Sequence, residues 1–114
     1  MKRDMNLIRL LLMRLEGEQE VDLDAYSENE RIYHSALLIE ANLVDGVIRK
    51  DAEGYPSGVA SIRLTWKGHD FLDAARNESV WKKATGKVRS KGLSLTFDLL
   101  KELLTLTLRH EIGL

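Results

Sequence analysis

The chain has 114 residues, 44% of them hydrophobic and 31% charged, with 17 Lys and Arg set against 18 Asp and Glu. That length supports one hydrophobic core but not two, and the composition is that of an ordinary globular domain. With no cysteine, disulfides and thiolate metal sites are excluded, and the net charge of −1 is an awkward sum for a nucleic-acid binder.

The charge is unevenly spread. Residues 1–60 carry seven Lys and Arg against twelve Asp and Glu, a balance of −5, whereas residues 61–114 carry ten against six, a balance of +4. Such asymmetry can mark a basic face once the chain folds. The start of the chain, MKRDMNLIRLLLMRLEGE, is basic and then apolar, but Arg9 and Arg14 break the apolar run and no small-residue cleavage site follows. No apolar run approaches the length of a membrane span, so the expected location is cytoplasmic, as the lack of cysteine also suggests.

Asp4 is a good N-cap for a first helix, in which Ile8, Leu11, Leu12 and Leu15 recur at helical spacing and Gly17 ends the run. Leu7 and Leu10 widen the stripe, and Arg9 and Arg14 mark the wet flank. Residues 17–26 are acidic and alternate weakly at Val21 and Leu23, the pattern of a short strand. Ser27 with Glu30 forms a capping box for the next helix, where Ile32, Ala36, Ile39 and Leu43 make one stripe and Tyr33, Leu37 and Leu38 an adjacent one. Asn29, Arg31, His34 and Ser35 fall in its first turns, away from the Ile32 stripe or at its margin.

Beyond ANLVDG a strand is expected from Val47 and Ile48, and DAEGYPSG is a turn in which Gly54, Pro56 and Gly58 supply the bends. Ala60, Ile62, Leu64 and Trp66 then alternate with Ser61, Arg63 and Thr65, as in a strand with one buried face. Arg49, Lys50 and Arg63 belong to the outer face or the tip of this hairpin. Thr65 caps a further helix that turns Phe71, Leu72 and Ala75 inward, with Gly68 placed for close approach to the hairpin. Asn77 restarts or kinks that helix, and Val80 and Trp81 anchor the extension. Trp66 and Trp81 both read as core. Residues 82–91 carry five basic side chains and no acid, a solvated segment in which Gly86 and Gly92 interrupt helix. Ser94 or Thr96 opens a last helix with leucine on most of its circumference, which is seldom left in water.

Helix, hairpin, helix at this spacing is the layout of an α+β, winged helix-turn-helix-like domain with a two- or three-stranded wing and an added C-terminal helix. Residues 1–92 would form the winged domain. Residues 93–114 would complete it or serve as a dimerisation element. The segments MKRDMNLIRLLL, YHSALLIEANLVDG and LTWKGHDFLDAARNESVWKK together resemble the bacterial and phage family called domain of unknown function 2513. More loosely, the "L-V … L-T-x-x-G" pattern is similar to transcription regulators of the multiple-antibiotic-resistance and phenolic-acid-repressor type. The resemblance implies a winged helix-turn-helix fold and no biochemical activity. Asn42 stands where such relatives usually carry glycine, a change that Asn tolerates.

Two functions are open. One is a DNA-binding regulator of phage or mobile-element origin, acting as a homodimer paired through the C-terminal helix. The helix from Ser27 would offer Asn29, Arg31, His34 and Ser35 to base edges, and Arg49, Lys50 and Arg63 of the wing would hold phosphates. The other is a protein-interaction module on the same scaffold, for which the acidic first half and Glu28 and Glu30 speak. For His34 the plainer reading is a structural histidine. His69 and Asp73, four apart, have metal-ligand spacing but no visible third ligand, and His110 suits a helix C-terminus. No nucleophile elbow, phosphate-cradling glycine loop or paired-carboxylate motif is present, so no enzyme activity, cofactor or metal is expected.

Overall fold

Local capping decides where each helix begins. The computed structural model describes residues 1–18, 20–92 and 96–114. In order, the elements are α1 (Met5–Leu15), α2 (Glu28–Glu40), β1 (Val44–Lys50), β2 (Pro56–Leu64), α3 (Trp66–Ala75), α4 (Glu78–Ser90) and α5 (Phe97–Glu111). The fold is thus α+β, with a two-stranded antiparallel sheet among the described residues. Asp4 caps α1 by accepting from the N–H groups of Asn6 and Leu7, and Ser27 and Glu30 form a complete capping box on α2. Thr65 accepts from the N–H of Gly68 to open α3, Asn77 caps α4 and Thr96 caps α5. Ser94, the other expected start of the last helix, lies outside the described residues.

The chain divides into two compact units, Met1–Asp70 and Phe71–Leu114, with the division inside α3. In the first unit α2 packs against α1 and against both strands, around Leu7, Leu12, Leu38, Leu43 and Leu64. The chain leaves α2 through Asn42 in the left-handed conformation (φ 61°), as a side chain that can occupy that region allows. There α3 closes on the entry to the hairpin. The Thr65 hydroxyl donates to the Asn42 carbonyl at 2.6 Å, and a Cβ on Gly68 would stand 2.0 Å from the Leu43 carbonyl oxygen. The expected close approach at Gly68 is present.

Three expectations about this unit are corrected. The strand begins at Val44 rather than Val47, and Pro56 and Gly58 belong to β2, leaving a turn shaped by the Asp51 carboxylate, which accepts from the N–H groups of Glu53 and Tyr55. No strand forms among the described residues of 17–26. The Asp22 carboxylate accepts from the Asp24 N–H at 2.8 Å and Tyr26 bonds back to Leu23, so local turns replace an extended ladder. Third, Ala60, Ile62 and Leu64 do not share a buried face. Register shifts leave Ile62 and Ser57 without a partner on β1, so Val44 pairs with Leu64 on the inner side while Val47 pairs with Ala60 on the outer. One extra residue in a strand reverses every side chain beyond it.

In the second unit α4 and α5 pack together. Val80, Trp81, Ala84 and Val88 of α4 and Leu100, Leu104 and Thr107 of α5 are buried, and Phe71 meets Phe97 with ring centroids 4.8 Å apart. Two of the leucines on α5 are therefore covered by the same chain, while Leu106 remains exposed. Residues 82–90 are helical, a correction to the interruption of helix expected at Gly86, while the basic side chains Lys82, Lys83, Lys87 and Arg89 are exposed as a solvated segment requires. Gly86 is carried through because the buried α4 face and the Asn77 cap hold the helix around it. Trp81 is core as expected. Trp66 is not: it is 86% exposed at the first position of α3.

Candidate functional site

On the hairpin, the inner face of β1 is fixed by Gly46, whose Cβ would lie 2.8 Å from the Ile39 side chain of α2. Alternation then turns Asp45, Val47 and Arg49 to the opposite, outer face. Their partners on β2 are Arg63, Ala60 and Gly58. From base to tip this face carries the Asp45–Arg63 ion pair at 3.0 Å, then Val47 beside Ala60, then the Arg49 guanidinium lying over Gly58. Val47 is 63% exposed and Ile62, the residue bulged out beside them, is 67% exposed. Trp66 follows three residues beyond Arg63. Val47, Ile62 and, at the start of α3, Trp66 are thus three large apolar side chains left in water, with the Asp45–Arg63 pair on the same hairpin.

The residues expected to meet DNA are scattered by comparison. Asn29, Arg49, Lys50 and Arg63 are exposed, and Arg63 is held by Asp45. His34 is 1% exposed. Its Nε2 accepts from the Asp4 N–H at 2.8 Å and its Nδ1 lies 2.7 Å from the Glu30 carbonyl, so a neutral ring protonated on Nδ1 satisfies both. Its expected part as a DNA-facing donor is corrected by that burial; the structural reading of this residue stands. Ser35 lines a recess of about 260 Å³ with Leu11, Leu38, Val44 and Ser61, turned toward α1 and the hairpin. Arg31 is half-buried, with an Nε that finds no acceptor among the described residues. Along α2 none of residues 31–39 is exposed.

Among the described residues no three His, Asp or Glu converge as metal ligands. His69 lies 3.7 Å from Glu16 through Nδ1, both partly exposed. An open hollow of about 730 Å³ is lined by Leu10, Met13, Glu18, Glu20, Val21 and Asp22. Its described lining holds no histidine, cation or nucleophile. No helix among the described residues is long and apolar enough to cross a membrane.

The exposed apolar face was missed by sequence reasoning because alternation along β2 announces two faces without saying which is covered.

An uncharacterized protein of Haemophilus influenzae is 32% identical over 109 residues, covering 90% of this chain and 91% of the relative. No solved structure matches the chain. The family model described as hypothetical protein (DUF2513) matches residues 2–94, which includes α1, the whole hairpin and all of α4. The chain belongs to the DUF2513 family.

Proposed function

We propose that the chain is a non-catalytic, winged-helix-like module that works by binding protein rather than by reading DNA. The observation that carries this is the packing of α2. A helix that reads the major groove must present a continuous side to the bases. Here α1 and the hairpin bury His34, Ala36 and Leu38 and leave Arg31, Ile32, Tyr33, Ser35, Leu37 and Ile39 only partly exposed. Glu28 and Glu30, in the first turn where contact would start, add negative charge. The outer hairpin face with Val47 and Ile62 in water, and the exposed Trp66 that opens α3, have the aliphatic and aromatic content of a protein contact.

The DNA reading keeps one observation of its own. Arg49 and Lys50 at the hairpin and Lys82, Lys87, Arg89 and Lys91 at and beyond α4 are all exposed cations. Chromatography on heparin and on duplex DNA at low salt separates the two. Passage without retention is expected. Salt-sensitive retention that falls on Arg49→Ala and Lys50→Ala substitution decides for DNA.

A further inference from the structure

We propose that the outer face of the hairpin pairs two copies of this chain, a deepening of the protein-binding reading on which it rests. The case for a second copy lies in the self-complementarity of the face. An interface built on a two-fold axis must match itself, because each residue meets its counterpart's neighbour in both directions. Consider an axis running along the hairpin, between β1 and β2 and just above the outer face. Rotation about it lays β1 of one copy over β2 of the other at the same height.

Every cross-strand pair then becomes two cross-interface pairs. Asp45 comes to face Arg63 of the second copy, and Arg63 faces its Asp45, closing a ring of alternating charge around a pair already formed at 3.0 Å. Val47 comes to lie over the Ala60 of the other copy, large over small, which is the interdigitation that stacked sheets need. Ile62, bulged out of the ladder and 67% exposed, adds apolar cover beside the axis. A partner of uniform charge would match only one half of the Asp45–Arg63 pair. The same charges satisfy each other when the face meets itself.

The exposed part of α5 is the competing surface. Leu106 there is 56% exposed, but Leu100 and Leu104 of the same helix are already fully covered.

Light scattering on the full chain, at tens of micromolar, tests the pairing. The expected mass is twice the chain mass of 13.0 kDa. Asp45→Arg alone and Arg63→Asp alone should each give the single-chain mass, since like charges then face each other across the axis. Mixed in equal amounts, the two variants should recover the doubled mass, because every facing pair is again opposite in charge. Recovery on mixing shows that both variants fold. Should either fail to fold, Ile62→Lys, at an exposed position, takes its place and should weaken pairing at least about a hundredfold. A single-chain mass for the unaltered protein overturns the proposal. So does a doubled mass that survives the charge substitutions, one lost only on Leu106→Glu, or a mixture that stays monomeric. A monomer that does not bind duplex DNA overturns self-pairing alone; duplex retention lost with Arg49 and Lys50 overturns the protein-binding reading itself.

Discussion

The backbone N–H of Asp4 donates to Nε2 of His34, thirty positions along the chain, at 2.8 Å. This ties the N-terminus of α1 to the first turns of α2, because the other ring nitrogen is anchored on the Glu30 carbonyl. Asp4 thereby serves twice, its side chain capping α1 while its own N–H is taken by the histidine. Removing the ring strands a part-buried N–H and leaves a cavity between two helices. His34→Ala should therefore lower stability by about 2–4 kcal/mol in urea unfolding. A change in ligand binding at unaltered stability would mean that the ring faces a ligand instead.

Gly68 and Thr65 lock α3 to the start of the hairpin. A Cβ at Gly68 would stand 2.0 Å from the Leu43 carbonyl oxygen, and backbone cannot yield as a flexible side-chain tip can. Gly68→Ala should cost about 1–3 kcal/mol by overpacking. Thr65→Val, which loses the cap and the bond to Asn42, should cost about 1 kcal/mol. Both are read by denaturant midpoint.

Gly86 gives the opposite sign. It lies inside α4, and a Cβ there would meet nothing within 4 Å. Its replacement by alanine only restricts the unfolded chain and improves helix propensity. Gly86→Ala should raise stability by about 0.5–1 kcal/mol, visible as a higher midpoint with unchanged slope.

Lys83 holds the Glu111 carboxyl below the ordinary glutamate range, chiefly through its hydrogen bond and then its charge, with a smaller share from His110. A depressed folded value means that the contribution is fully present above the usual carboxylate range and is lost as pH falls through the folded value. The carboxylate is exposed, so the effect on stability is small. Carbon-detected titration should find Glu111 low in the intact protein and nearer the ordinary range in Lys83→Met.

Tyr26 titrates above the usual tyrosine range, because partial burial and then the negative charges of Asp4 and Glu30 disfavour its phenolate. A raised folded value places the stabilisation below the ordinary tyrosine range and removes it as pH climbs through the folded value. Ultraviolet titration should show a late phenol that is absent in Tyr26→Phe. That variant should also lose part of the alkaline sensitivity of unfolding.

The sequence by itself determined most helix starts and the place of the hairpin between helices. Asp4, Ser27 with Glu30, Thr65 and Asn77 cap their helices where expected, because a cap is a hydrogen bond between near neighbours and needs nothing from the rest of the fold. The family, too, was legible in the segments around Met1, Tyr33 and Leu64. Only the tertiary structure decided which side of each element is covered. His34 was open to two readings, structural histidine and helix-margin donor, until α1 was brought over it, and Trp66 and Trp81 looked alike until one was left in water and the other enclosed. The hairpin face turned on a single bulged residue, Ile62, which sets Leu64 inward and Ala60 outward although the two lie four apart in an alternating run. Such a bulge is fixed by how β1 and β2 pair and by Gly46 seating on Ile39. Pairing between residues far apart in the chain leaves no periodic trace in either strand.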